Sequence, residues 1–300
     1  MKEDNIRTNS LRAWFLAARP KTLAGAAVPV MIAVAAAFHA LSAHGAAFWL
    51  PAVLCFLFAF CMQVDANFIN DYYDFLKGGD GDDRLGPRRA CAQGWITLPA
   101  MKRGILLATV LSGLVGLPLV IYGGLDMILI GLACILFCFL YTVSFSRRGL
   151  GDVLVLVFFG LVPVCATYYI LCKQCPVEVV LLSLACGIVI DTLLVLNNYR
   201  DREQDKRHGK ITLLVRLSVK GGQLLYLYLG AGGALLAMAT LLYMQLYSSL
   251  LLVLYVALHF QTWRNMKKIA SGSALNIILG QTARNIFVFG LLIAVPLFFC

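Results

Sequence analysis

Two acidic strings carry most of the chemistry available to this 300-residue chain. The first, NFINDYYDFLKGGDGDDR, runs from Asn67 to Arg84, and the second, NNYRDREQDKRHGK, from Asn197 to Lys210. Each follows a long apolar run, and each places an Asp four residues after an Asn: Asn67 and Asp71, Asn197 and Asp201. Wound as helix, Asn67, Asp71 and Asp74 fall within about 60° of arc, and Asn197, Asp201 and Asp205 within about 80°. Gln63 joins the first face one turn earlier, whereas Asp65 points elsewhere. Clustered carboxylate and amide oxygens suit a hard cation, and magnesium commonly binds through one or two carboxylates plus the phosphates of a substrate. Lys77, Arg84, Arg88, Arg202 and Lys206 supply cations that can grip phosphate oxygens, Arg in bidentate fashion.

The elements that must position these strings are membrane helices. Hydrophobic residues make up 61% of the chain, charged residues 13%, and the mean hydropathy is +0.83, values outside the range of ordinary soluble domains. Nine apolar segments have the length needed to cross about 30 Å of hydrocarbon. They are read as Leu23–Leu41, Phe48–Phe68, Ile105–Tyr122, Met127–Phe145, Val153–Leu171, Val177–Leu196, Leu224–Tyr243, Leu246–Trp263 and Ile277–Phe299. With that count, 24 of the 25 Lys and Arg residues fall on one side and only Lys173 on the other. Excess positive charge marks the cytoplasmic side, so the N-terminus is expected inside, the C-terminus outside, and both acidic strings at the cytoplasmic face. The net charge of +10 then reflects topology and contact with the lipid bilayer, and requires no nucleic acid. No hydrophilic linker interrupts the chain, which is read as one domain, 1–300, with a short cytoplasmic tail over about 1–20. The 130-residue offset between the strings suggests two halves of a bundle, each presenting one acidic helix end. Most cysteines sit in apolar segments as small hydrophobes; Cys172 and Cys175 form a CxxC at an external helix end.

The pairing of NDYYDFLKGGD with NNYRDREQDKRHGKITL resembles the two signatures of the UbiA prenyltransferase superfamily, and its 1,4-dihydroxy-2-naphthoate polyprenyltransferase branch in menaquinone synthesis. ARPKTL (Ala18 to Leu23), DDRLGPRR (Asp82 to Arg89), GLGD (Gly149 to Asp152), TYY (Thr167 to Tyr169) and ALNIILGQTAR (Ala274 to Arg284) extend the resemblance along the chain. Two departures stand out. Gly78 occupies a position where many relatives carry a third Asp, leaving Asp80 as the nearest substitute, and SFSRRGLGD replaces an expected Pro and aromatic before the Gly.

The resemblance implies an all-α UbiA-type bundle in the inner (cytoplasmic) membrane, with a central cavity open to the cytoplasm and to lipid. It implies Mg2+ held by Asp71, Asp74, Asp201 and Asp205. The partners it implies are a polyprenyl diphosphate and an aromatic acceptor, 1,4-dihydroxy-2-naphthoate, prenylated with loss of its carboxylate to give demethylmenaquinol. Asn67, Asn70 and Asn197 would orient metal waters or phosphate, and Lys77, Arg84, Arg202, Lys206, Arg19 and Lys21 would bind substrate. Tyr141 and Asp152 would face the acceptor, and Lys21 or Arg284 would hold its carboxylate. Asp191, ten residues before Asp201 and about 15 Å deeper, would line the acceptor pocket or pair with another helix. Two alternatives stay open: a UbiA-type enzyme acting on 4-hydroxybenzoate, homogentisate or a glyceryl phosphate, and a secondary transporter, whose ion sites lie nearer the bilayer midplane.

Overall fold

The computed structural model describes residues 6–42, 44–78, 81 and 84–299, without the side chain of Lys21. Among the described residues every regular element is helical, as lipid requires of a chain that must satisfy its own backbone polar groups. Helix α1 (Leu11–Ala18) starts at Ser10, whose side chain accepts from the Ala13 N–H, and ends at Arg19 in the left-handed region, φ 50°. Pro20 then opens α2 (Pro20–Ala40), a position where its missing N–H costs nothing. The first half continues through α3 (Ala46–Leu76), α4 (Leu98–Gly116), α5 (Leu119–Gly123) and α6 (Asp126–Val143). Next come α7 (Gly151–Val155), a π-helical turn (Leu156–Leu161) and α8 (Val162–Cys172), stacked as one rod. The second half is α9 (Val177–Arg207), α10 (Leu213–Arg216), α11 (Val219–Tyr243), α12 (Leu252–Ile269) and α13 (Leu275–Phe299).

Eight of these rods are long and apolar enough to cross a membrane: α2, α3, α4 with α5, α6, the α7–α8 rod, α9, α11 and α13. The remaining expected segment, Leu246–Trp263, forms a 3-10 turn (Tyr247–Leu251) followed by α12. Arg264, Lys267 and Lys268 close that helix, and Lys267 lies 4.5 Å over the Trp263 ring. The apolar surface faces outward: Leu106, Leu107 and Leu114 of α4 and Leu129, Leu132 and Leu136 of α6 are all exposed, the pattern of side chains meant for lipid. Helix α9 is the axis, with Leu182, Ala185, Cys186 and Val189 fully buried, packed on α11, α13, α8 and the π turn. A Cβ on Gly160 would stand 2.7 Å from Gly187 Cα, so this crossing depends on two glycines, as tight membrane helix contacts do. Asp65 is fully buried and accepts from Thr109 at 2.7 Å, tying α3 to α4. No disulfide forms among the described cysteines; Cys172 approaches the Ala37 carbonyl, while Cys175 has Cys165 as its thiol neighbour.

Candidate active site

Helices α3 and α9 are each 31 residues long, about 46 Å at 1.5 Å per residue, and so overrun a hydrocarbon layer of about 30 Å. Their surplus turns carry the acidic strings as continuous helix, which converts the sequence spacing directly into faces.

The polar face expected on α3 divides into two stripes with different partners. Asn67 donates to the Ala18 carbonyl at 2.9 Å and to the Thr22 hydroxyl at 3.0 Å. Asp71, 1% exposed, accepts from the Ala90 and Cys91 N–H groups, both at 2.9 Å, with Arg19 Nη2 3.8 Å away. Asn67 and Asp71 therefore brace the α1–α2 junction and the loop that leads to α4. The adjoining stripe is Asn70, Asp74 and Lys77. Asn70 accepts from the Thr142 hydroxyl, and Lys77 Nζ donates to the carbonyls of Thr142 at 3.2 Å and Val143 at 2.7 Å. Partial burial, helped by the nearby Arg147, lowers the pKa of the Lys77 ammonium. Arg89 donates to Asp74 at 3.1 Å.

The α9 string meets this second stripe. Arg200 grips Asp201 with two bonds, 2.7 Å from Nε and 2.6 Å from Nη2, and donates to Asn276 of α13 at 2.7 Å. Asn276 donates onward to the Leu85 carbonyl at 2.8 Å, and a Cβ on Gly86 would stand 2.8 Å from Arg200 Nη2. The loop after α3 is thus drawn against the end of α9. Lys210 folds back on Asp205, 3.3 Å and 3.2 Å from its two oxygens. Asp74 and Asp205 lie within reach of each other's charge and both of Lys210, Asp201 acts on Asp205, and Arg84, Arg19 and Lys77 act on Asp74. Asp74 of α3 thus lies near Asp205 of α9, with Asp201 one turn before Asp205 and cations around them, while Asp71 is bonded to its loop.

The other expected residues are distributed unevenly. Asn197 precedes Asp201 by one turn of α9 and is half-buried. Arg84 Nε donates to the Pro87 carbonyl at 3.0 Å. Arg202 turns to Glu203, 3.9 Å away, Lys206 is exposed, and Arg284 is exposed on α13, where it donates to Asn285. Asp80 and the Lys21 side chain lie outside the described residues. Tyr141 and Asp152, with Leu194, Asn198, Lys210 and Thr212, line a small cavity directly beside the acids. Its rim is strapped by Arg147, whose guanidinium donates to the His208 carbonyl at 2.9 Å and whose backbone carbonyl accepts from the Ile211 N–H at 3.0 Å. Arg89, Arg200 and Lys210 pair with the acids although no role was assigned to them from sequence. Arg200 and Lys210 lie inside the second string and Arg89 ends DDRLGPRR, so their signal was membership of those motifs.

The donor set consists of carboxylate and amide oxygens, the chemistry of a hard cation. Among the described residues no three acidic, His or Cys side chains close into a metal cage by themselves.

Comparison with known proteins places this geometry in a family. The UbiA prenyltransferase family model matches residues 29–298. A Haemophilus influenzae protein named 1,4-dihydroxy-2-naphthoate octaprenyltransferase is 35% identical over 255 residues, covering 80% of this chain and 80% of that one. The apo structure of a UbiA homologue from Aeropyrum pernix K1 superposes with a TM-score of 0.66 at 14% identity, covering 90% of this chain and 96% of that one. A UbiA homologue from Archaeoglobus fulgidus bound to DMAPP and Mg2+ gives 0.59 at 13% identity, over 94% and 99%. With nine-tenths of its length matched and its fold shared, the chain belongs to the UbiA prenyltransferase family and is a membrane-embedded prenyltransferase.

Proposed function

We propose that the protein transfers a polyprenyl group from polyprenyl diphosphate to 1,4-dihydroxy-2-naphthoate, releasing carbon dioxide and forming demethylmenaquinol. The observation that supports this reading is the approach of Asp74 on α3 to Asp205 on α9, with Asp201 one turn before it, next to a small cavity lined by Tyr141, Asp152 and Lys210. Relatives named for the naphthoate reaction support the choice of acceptor. The same reading places nine spans in the inner membrane, α12 being the one of marginal hydropathy, with the N-terminus and both acidic strings on the cytoplasmic side.

Asp74, Asp201 and Asp205 would hold magnesium, with Asn70 and Asn197 positioned to orient its waters. When bound, the ion supplies positive charge that stabilises the departing diphosphate. Asp71 would act from the outside, holding the loop that brings Arg89 onto Asp74. Each acid is now paired with a cation, Arg89, Arg200 or Lys210, and the two arginines, with Arg19, Arg84 and Lys77, can transfer to phosphate oxygens as substrate enters. The allylic C–O bond then breaks with its electron pair going to the diphosphate. The ring carbon bearing the carboxylate attacks the allylic carbon, and the ring regains aromaticity by losing carbon dioxide. No strong base is needed, and the surrounding apolar helices keep water from the cation. Lys210, which borders both Asp205 and the cavity, would hold the acceptor carboxylate, a role for which Lys21 and Arg284 are the other candidates.

Purified protein in lipid nanodiscs, given polyprenyl diphosphate and carboxyl-labelled acceptor, tests the reading. Label should leave as carbon dioxide in step with product. Label retained in the product, or preference for 4-hydroxybenzoate in direct competition, rejects the acceptor assignment and leaves the family standing.

A further inference from the structure

Asn276 stands in the first turn of α13, within the string ALNIILGQTAR, and spends both ends of its amide on partners remote in the chain. Oδ1 accepts from Arg200 Nη1 at 2.7 Å, 76 residues away, and Nδ2 donates to the Leu85 carbonyl at 2.8 Å, 191 residues away. Only this orientation of the amide satisfies both partners, since a guanidinium donates and a carbonyl accepts. The turn that carries it is firmly mounted. Leu275 is fully buried in one cluster with Val195, Leu196 and Tyr199 of α9, and the Tyr199 hydroxyl donates to the Ala270 carbonyl at 2.9 Å. Asn276 is thus a fixed point between the end of α9 and the loop after α3.

The two edges of the buried Arg200 guanidinium serve different partners. Nε and Nη2 grip Asp201, while Nη1 is held by Asn276. A phosphate offers the same pair of acceptor oxygens as a carboxylate, so Arg200 can exchange Asp201 for phosphate along the Nε–Nη2 edge while Nη1 stays where it is. A neutral amide suits that exchange: a carboxylate at position 276 would set a second anion on Arg200 and compete with phosphate for its charge. The other end of the amide reaches the backbone between Arg84 and Gly86, in the loop whose Arg89 pairs with Asp74. A strap for that loop alone would need only the bond to Leu85.

We propose that Asn276 is a positioning residue for the diphosphate: it anchors Arg200 by Nη1, leaves the Nε–Nη2 edge to pass from Asp201 to phosphate, and joins that arginine to the loop that carries Arg84 and Arg89. The inference rests on the proposed function for Arg200 meeting the diphosphate, and goes beyond it in assigning the residue that sets the position of the arginine. Asn276 touches no reacting atom itself and acts through Arg200, with a smaller contribution through the loop.

A double-mutant cycle of Asn276→Ala and Arg200→Ala in nanodiscs, with each substrate varied separately, tests the role. Asn276→Ala alone should raise the polyprenyl diphosphate KM at least tenfold while the acceptor KM stays within twofold. Added to Arg200→Ala, the same substitution should raise it no more than threefold further, the remainder left by the lost Leu85 bond. A second readout needs no turnover by the variants: binding of a non-reactive polyprenyl thiolodiphosphate should show the same non-additivity. If Asn276→Ala fails to fold, as judged by its thermal unfolding midpoint, Asn276→Ser carries the cycle. An unchanged diphosphate KM in the folded variant, equal rises for both substrates, or effects of the two substitutions that simply multiply would overturn the positioning role. Wild-type protein that binds no polyprenyl diphosphate overturns the proposed function and this role together, whereas wild-type binding with multiplying effects overturns the role alone.

Discussion

Asp71 and Asp74 stand three residues apart in one motif, yet the structure gives them opposite dependence on the fold. Replacing Asp71 with Ala removes the acceptor of two backbone N–H groups at 2.9 Å and strands them at Ala90 and Cys91, which are 2% and 6% exposed. A buried donor left unsatisfied costs about 1 to 3 kcal/mol, so the pair should cost about 2 to 4 kcal/mol after local relaxation. Asp74 makes one ion pair and its side chain is 37% exposed, and pairs of that kind contribute about 0 to 1 kcal/mol. At about 2 to 4 °C per kcal/mol for a chain of this size, Asp71→Ala should lower the unfolding midpoint by about 4 to 16 °C and Asp74→Ala by no more than about 4 °C. The assay is thermal unfolding in nanodiscs with a chelator present, because bound metal would add stability of its own. Both variants should lose transferase activity, Asp71→Ala through its loop and Asp74→Ala through the lost ligand. Equal midpoint shifts, or a shift below about 2 °C for Asp71→Ala, would refute the division of the motif.

Three further outcomes follow from the same geometry. Lys210→Met should raise the KM for both substrates, since Lys210 touches Asp205 and also lines the neighbouring cavity; an effect on polyprenyl diphosphate alone, measured in separate titrations, would remove it from the acceptor side. Gly160→Leu should abolish folding into the membrane or lower the unfolding midpoint by more than about 10 °C, because its Cβ alone would lie 2.7 Å from Gly187 Cα; wild-type stability would mean the crossing of the π turn with α9 is looser than described. Single cysteines introduced at Gly78 and His208 of a cysteine-free variant should react with an impermeant maleimide only from the cytoplasmic side, and one at Gln174 only from outside; labelling of Gly78 and His208 from opposite sides would break the shared site.

The membrane helices and the acidic strings were legible in the sequence because both depend on local pattern. Apolar length sets a span, and a spacing of three to four residues sets a face. Less legible was which side of a face a residue serves. Asn67, Asp71 and Asp74 fall within one arc, but the neighbours that separate them, Ala18 and Thr22 on one flank and Thr142 and Arg89 on the other, come from segments remote in the chain. The same holds for the bond of Arg200 to Asn276 on α13, whereas its grip on Asp201 and that of Lys210 on Asp205 are local contacts within one string. Asp65 had no reading from its position because its partner, Thr109, is on the next helix. Helix α12 shows the limit of composition: three cations close an 18-residue helix, which is not among the eight rods apolar enough to cross a membrane although it packs between α11 and α13.

The central claim is that α3 and α9 build one site for a metal and a diphosphate. Its most direct test is the binding of Mn2+, as a spectroscopic stand-in for Mg2+, to protein saturated with a non-reactive polyprenyl thiolodiphosphate, followed by electron paramagnetic resonance. Wild-type protein should bind the ion only when the diphosphate is present, and Asp74→Asn and Asp205→Asn should each lower that affinity at least tenfold, although they lie on different helices. Wild-type affinity in either variant would contradict a site assembled from both.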